Sequence, residues 1–128
     1  MNIERLDHLV LTVRHIDATV AFYTQVLGMQ KIIFGAGRIA LKFGQQKINL
    51  HQAGNEFEPK AESPTPGSAD LCFLSSASLE RVIQQLEKLN VPIVEGPVGR
   101  TGALGPIRSV YIRDPDQNLI EIANPISE

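Results

Sequence analysis

The predicted order of secondary-structure elements occurs twice along this chain, and this repeat constrains the fold more than any single motif does. In the first half, alternating apolar residues predict a strand over 6–13. Asp17 is a candidate N-cap for a helix that ends near Leu27, followed by Gly28, a residue type suited to a left-handed helix C-terminus. Three short predicted strands, separated by glycines, follow at 30–34, 38–43 and 47–51.

The second half repeats this order of elements. A strand is predicted over 70–74, and Ser78 can cap a helix that continues through Leu89, with its apolar residues on one stripe. Three further strands are predicted near 93–94, 109–113 and 118–123. We therefore predict an α+β fold built from two tandem βαβββ modules.

The two predicted modules, about 1–53 and about 68–125, form one domain spanning 1–128. The segment 54–67 between them contains three prolines and several charges, and it is predicted to be a linker or an ordered arm. A second segment rich in glycine and proline, 96–106, is predicted to fold over a pocket as a lid.

The composition excludes several classes of protein. With 12 Lys and Arg against 14 Asp and Glu, the net charge is -2, whereas a nucleic-acid-binding domain carries a basic surface. No apolar run is long enough to cross a bilayer, so no membrane partner is expected. Cys72 is the only cysteine, which excludes an intrachain disulfide and a cysteine-based zinc cluster. We expect an inert, buried Cys72 thiol in a cytoplasmic protein.

Four polar residues lie inside predicted strands, where a buried charge requires a partner. Superposing the modules aligns His8 with Asp70 and His51 with Glu121, one pair from the first strands and one from the last. Two imidazoles and two carboxylates form a nitrogen and oxygen set that suits Zn, Ni, Mn, Co or Fe(II). These four residues are the predicted metal ligands, and His15 is expected on the surface.

Other polar residues are candidates for substrate binding. Arg38, Arg100 and Arg108 could each clamp a carboxylate or a phosphate. Ser109 and Tyr111 alternate on one face of a predicted strand and could contact a ligand together. The chain has no phosphate-binding glycine loop and no His-Glu-x-x-His helix, so the strand residues are the predicted site.

The sequence resembles the vicinal oxygen chelate superfamily, which includes glyoxalases, fosfomycin-resistance proteins and extradiol dioxygenases. The resemblance covers nearly the whole chain and depends on three motifs in order: LDHLVLTV at 6–13, AFYTQVLGM at 21–29 and DPDQNLIEI at 114–122. Three shorter stretches are similar to short glyoxalase-domain proteins that include a bacterial virulence-associated branch: 49–51, 56–60 and 96–107.

This resemblance implies that the modules form an eight-stranded cup around a divalent metal, bound by His8, His51, Asp70 and Glu121. The chain departs from the family pattern at two of these positions, because many glyoxalase-type members have His in place of Asp70 and Glu or Gln in place of His51. The usual Asp-Pro-Asp-Gly turn also has Gln117 instead of Gly. Family members commonly pair, so a homodimer is expected.

The expected activity is that of a metal-dependent lyase or isomerase of the glyoxalase type. Its substrate would be a small molecule, such as a thiol adduct, that chelates the metal through adjacent oxygens. Glu121 is the expected proton carrier. Three alternatives remain: a fosfomycin-type thiol or water transferase in which Arg108, Ser109 and Tyr111 hold a phosphonate, an Fe(II) dioxygenase, and a non-catalytic small-molecule-binding module linked to virulence or stress resistance.

Overall fold

The structure is a computed structural model that describes residues 1–127. The chain divides into two compact units, Met1–Ser68 (unit 1) and Ala69–Glu128 (unit 2). Each unit contains a strand, a helix and three further strands, and its four strands form one sheet. The predicted α+β fold of two βαβββ modules is therefore confirmed.

Unit 1 consists of β1 (His8–Val13), α1 (Ile16–Gln25), β2 (Gln30–Phe34), β3 (Arg38–Phe43) and β4 (Gln46–Gln52). The strand order across its sheet is β1-β4-β3-β2, with β1 parallel to β4 and the other neighbours antiparallel. Tyr23 on α1 is fully buried, as are Leu41 and Ile48, which are directly paired on the apolar face of the sheet. Because side chains alternate along a strand, the opposite face is left for polar residues.

The start of α1 differs from the prediction. His15 occupies the N-cap position and makes no side-chain capping bond, while Asp17 lies in the first turn. The prediction of Asp17 as the cap was therefore wrong by two residues. Its negative charge in the first turn still interacts favourably with the helix dipole.

Unit 2 consists of β5 (Asp70–Leu74), α2 (Leu79–Lys88), β6 (Glu95–Thr101), β7 (Pro106–Arg113) and β8 (Leu119–Pro125). Its strand order is β5-β8-β7-β6, and β5 is parallel to β8. The Ser78 hydroxyl accepts a hydrogen bond from the backbone N–H of Arg81 at 3.3 Å, which confirms Ser78 as the cap of α2. Within residues 1–127, neither ten-residue helix has the length and apolar character that a bilayer crossing requires.

The segment 96–106, predicted as a lid, lies mostly in the sheet. Residues 96–101 belong to β6, which pairs antiparallel with β7, and only 102–105 form a turn between these strands. Glycine and proline indicated a loop, but β6 is an edge strand whose register shifts between Glu95 and Val98. An edge strand with a bulge tolerates both residue types.

The segment 54–67 contains neither helix nor strand. Local hydrogen bonds shape it: the Gly54 N–H donates to the Glu56 carboxylate at 2.8 Å, and the Ser68 hydroxyl donates to the Thr65 carbonyl at 2.8 Å. It also contacts the sheet of unit 1, because the Phe57 ring packs edge-on against the ring of His51 on β4.

The turn between β7 and β8 contains a buried polar network. The Asp114 carboxylate accepts from the backbone N–H groups of Asp116 and Asn118 and from the Asn118 side-chain amide, at 2.8 to 3.0 Å. The Asn118 side-chain oxygen accepts in turn from the Ala69 N–H, just before β5. Gln117 has a φ of 70°, so a residue with a Cβ occupies the left-handed region here.

Gln117→Gly is expected to stabilise the fold by about 0.5–1 kcal/mol, because glycine adopts this φ without steric cost. The free energy of unfolding, measured by urea denaturation, tests this. Gln84→Gly is the matched control. The same change within α2 should destabilise by about 1 kcal/mol. A loss of stability in Gln117→Gly would contradict the prediction.

Candidate functional site

The polar face of the unit 2 sheet carries the candidate site. On β8, Ile120 and Ile122 are buried in the core, so Glu121 lies on the opposite face. The register places Glu121 beside Cys72 on β5 and beside Tyr111 on β7. Three reactive side chains from three adjacent strands therefore stand in one row.

Ser109 holds the Glu121 carboxylate in place. Its hydroxyl donates to Glu121 Oε2 at 2.5 Å, and the serine has no exposed surface. The Cys72 thiol lies beside the same carboxylate, because Cys72 and Glu121 are partners across β5 and β8. Ser109, predicted to contact the substrate, is thus engaged in orienting Glu121.

A recess of about 340 Å³ opens over this face. Its charged or hydroxyl-bearing lining residues are Asp70, Glu95, Arg100, Tyr111, Arg113 and Glu121. Carboxylates and guanidinium groups therefore share one small volume. Such a lining suits a small polar ligand that is both held by charge and subject to proton transfer.

Arg100 orients the hydroxyl of Tyr111 within this recess. Its Nε donates to Tyr111 Oη at 2.9 Å, and its Nη2 lies 3.4 Å from the Glu95 carboxylate. Because the Tyr111 oxygen already accepts from Arg100, the hydroxyl proton is left to donate to another group. Arg100 and Tyr111, both predicted to bind substrate, are brought together.

Arg108 is not part of this face. Its Nη1 donates to the Glu80 carboxylate on α2 at 2.8 Å, on the side opposite to Ser109 and Tyr111. The prediction that Arg108, Ser109 and Tyr111 hold one ligand together is therefore corrected. Arg108 and Ser109 are consecutive in β7, and the strand period of two directs them to opposite faces.

Cys72 is exposed, which corrects the prediction of a buried thiol. Partial desolvation, and after it the negative charge of Glu121, raise the pKa of the Cys72 thiol from 9.0 to about 11. The thiol is therefore protonated at neutral pH. The inertness of Cys72 stays a prediction; the raised pKa lowers its thiolate fraction, mainly through desolvation and then through the charge of Glu121.

In unit 1, the two predicted histidine ligands share a face but stand far apart along it. His8 is paired with Lys47, whereas His51 is paired with Thr12, four residues further along β1. At a strand rise of about 3.3 Å per residue, this offset separates them by about 13 Å. The two imidazoles therefore do not converge within unit 1.

Register also changes the correspondence between the units. Asp70 is paired with Leu119, two residues before Glu121. In unit 1, His8 is paired with Lys47, and the residue two positions after Lys47 is Asn49. Asn49, and not His51, therefore corresponds to Glu121. The superposition of His51 on Glu121 was thus two residues out, and Asn49 was missed.

The neighbouring Asp7 carboxylate orients the ring of His8. Its Nδ1 donates to the Asp7 carboxylate at 2.8 Å, and this bond lowers the pKa of Asp7. In the neutral ring, Nε2 then keeps a lone pair for a metal or a ligand proton. Histidines that bind metals usually have such a carboxylate behind them.

His51 has a different setting. It is 3 % exposed, and its Nε2 accepts from Arg38 Nη2 at 3.3 Å. Burial, and then the Arg38 charge, lower the pKa of His51 below 6.5. The adjacent guanidinium also disfavours a cation at Nε2, so these contacts favour a role for His51 other than metal binding.

Within residues 1–127, no three His, Cys, Asp or Glu side chains are grouped so that they could hold a metal. Unit 2 offers Asp70 and Glu121, and unit 1 offers His8 and the separated His51. These oxygen and nitrogen donors are chemically suited to a divalent ion. Neither unit completes a coordination shell by itself, so metal binding stays a prediction.

Comparison with known proteins identifies the class. Residues 5–122 match the family described as "Glyoxalase/Bleomycin resistance protein/Dioxygenase superfamily", and the chain belongs to this family. Superfamily members generally bind divalent metals.

Three proteins are similar to this chain over nearly its whole length. Virulence protein STM3117 of Salmonella typhimurium is 58% identical over 123 residues, which cover 96% of this chain and 85% of that protein. The glyoxalase domain-containing protein RDO1 of Mycosarcoma maydis is 55% identical over 124 residues, covering 97% and 70% of the two chains. Integron cassette protein VCH_CASS1 of V. cholerae has a solved structure with a TM-score of 0.96 and 59% identity, covering 98% of each chain.

Gly96→Ala is expected to destabilise the protein by about 2–4 kcal/mol. Gly96 has a φ of +106°, and a Cβ there would lie 2.4 Å from the carbonyl oxygen of Ser109, the residue that orients Glu121. Gly99→Ala on the same strand is the control, since its Cβ would meet nothing within 4 Å. Urea denaturation of both variants measures the difference, and equal stabilities would contradict the prediction.

The Cys72 thiol of metal-free protein is expected to titrate near pH 11 instead of 9.0, because the thiol is partly desolvated and because deprotonation would place a second negative charge beside Glu121. Ultraviolet absorbance of the thiolate follows this titration. The midpoint should fall in Glu121→Gln and stay unchanged in Glu87→Gln, which alters an exposed carboxylate on α2. A wild-type midpoint near 9 would refute the expectation.

Proposed function

We propose that this protein is a divalent-metal-dependent lyase or isomerase of the glyoxalase type. Its substrate would be a small molecule with two adjacent oxygen atoms, such as a methylglyoxal–thiol adduct. The observation that carries the proposal is the Glu121 carboxylate, oriented by Ser109 at 2.5 Å in a recess of about 340 Å³. The recess has a volume suited to a metabolite of this size.

Glu121 is the proposed catalytic base and acid. In the isomerisation of a hemithioacetal, it takes the proton from the hydroxyl-bearing carbon and returns it to the adjacent carbon, which was the carbonyl carbon. The hydroxyl proton moves from the first oxygen to the second in the same isomerisation, so the hydroxyl and the carbonyl exchange places. Atoms and electrons balance without a further reagent. The Ser109 hydrogen bond orients the carboxylate, so that it needs little reorganisation for each transfer.

The cationic groups of the recess support this role. Removing a proton from carbon leaves negative charge on the neighbouring oxygen. Arg100 and Arg113 line the same recess as Glu121, and Tyr111 keeps a hydroxyl proton to donate. We propose that these three residues bind and orient the substrate oxygens.

His8, Asp70 and Glu121 are the proposed ligands of the metal, and His51 stays a predicted ligand whose contacts favour another role. When bound, the metal supplies Lewis acidity to the substrate oxygens. His8 fits this role because Asp7 orients its ring at 2.8 Å. The expected homodimer and cytoplasmic location also belong to this proposal.

Glu121→Gln is expected to lower kcat/KM for the methylglyoxal–glutathione adduct by about 10²–10⁴-fold, the usual contribution of a general base. The assay uses purified protein supplied separately with Ni, Zn, Mn, Co or Fe(II). Glu87→Gln is the matched control, and thermal unfolding checks that both variants are folded. Wild-type protein that turns over no adduct with any of these metals would overturn the lactoylglutathione-lyase form of the proposal.

A further inference from the structure

The polar face of unit 1 contains a cationic group without an acidic partner. Arg38 stacks over two rings, with its guanidinium carbon 5.2 Å from the Phe34 centroid and 4.5 Å from that of Phe57. Its Nη2 donates to His51, and its Nε is buried without a hydrogen-bond partner. Among the residues described, no carboxylate forms an ion pair with Arg38. A guanidinium held this rigidly is preorganised for an external anion.

A hydrogen-bond acceptor, the side-chain oxygen of Asn49, lies on the same face as the Arg38 donor. Asn49 is 6 % exposed, and its Oδ1 is buried without a hydrogen-bond partner. An unpaired buried acceptor is costly, and each one calls for an explanation. A ligand that brings a hydroxyl or an N–H group to this atom would remove the cost.

Strand pairing places these two groups within reach of one small ligand. Ile39 is paired with Leu50 and Ala40 with Asn49, so Arg38 lies diagonally from Asn49 on the same face. Diagonal neighbours across a strand pair have Cα atoms about 7–8 Å apart. The residue beside Asn49 is Ala40, whose short side chain leaves room between them.

We propose that this face of unit 1 binds a small carboxylate with an adjacent hydroxyl group, of the 2-hydroxy acid class. The carboxylate pairs with the Arg38 guanidinium, and the hydroxyl donates to Asn49 Oδ1. His51 is a positioning residue that holds Arg38 through Nε2. Phe57 stacks on Arg38 from a segment without helix or strand and helps to hold the guanidinium in place.

Calorimetric titration of the full chain with glycolate, acetate and inorganic phosphate tests this proposal. The protein is first dialysed against EDTA, so that chelation of a metal through adjacent oxygens does not contribute. Glycolate is expected to bind about tenfold more tightly than acetate, because only glycolate satisfies Asn49. Equal affinities for glycolate and acetate, or tighter binding of phosphate, would overturn the proposal.

Variants assign the binding to these residues. Asn49→Leu should abolish the preference for glycolate while leaving acetate affinity within about twofold. Arg38→Gln should lower the affinity for both acids by about tenfold or more. Arg38→Lys provides a second test, because it keeps the positive charge but lacks the paired N–H donors of the guanidinium group. A preference that survives Asn49→Leu would refute the proposal.

Two controls separate this site from the unit 2 recess. Arg113→Gln and Glu121→Gln alter the recess of the proposed function, and neither should change glycolate affinity. An equal loss in Arg113→Gln would place the binding in unit 2 and overturn the proposal. Loss of catalysis in Glu121→Gln with unchanged glycolate binding would support both proposals independently.

Discussion

The parallel pairing of the first and last strand of each unit decides which polar side chains can act together. In unit 2 this pairing places Glu121 beside Cys72 and two residues after Leu119, the partner of Asp70. Asp70, Cys72 and Glu121 therefore lie on one face of the sheet. In unit 1 the equivalent pairing makes Asn49 the counterpart of Glu121, and His51 lies two residues further along β4. Because side chains alternate along a strand, residues two apart lie on the same face. The register of the strand pair therefore decides which of them is next to a given residue on the neighbouring strand.

The two units have consequently acquired different chemistry on equivalent faces. The face of unit 2 combines a carboxylate held by Ser109 with arginines and a tyrosine hydroxyl, which suits proton transfer on a polar substrate. The face of unit 1 has a stacked Arg38, a neutral His51 and the unpaired Asn49 oxygen, which suits recognition of an anion. In our proposals, one architecture therefore supplies a reactive face in one unit and a binding face in the other.

Much of the fold could be predicted from local signals. The strands 30–34, 38–43 and 70–74 have the predicted bounds, and Ser78 caps α2, because apolar alternation and capping chemistry act over a few residues. The segment 96–106 was misinterpreted because the glycines and prolines of an edge strand have the composition of a loop. The close approach of Gly96 to the Ser109 carbonyl explains one of these glycines, and only the paired strands reveal it.

The sequence by itself determined the repeat and the family, and it singled out polar residues that unit 2 brings to one recess: Asp70, Glu121, Arg100 and Tyr111. Tertiary structure decided how they combine. Arg108 donates to Glu80 on the helix side of the sheet, and Ser109 donates to Glu121. His51 accepts from Arg38 and packs against Phe57. These outcomes depend on strand register and on contacts between residues distant in the chain. Local periodicity specifies the face of a strand on which a side chain lies, but not the residue that it meets there.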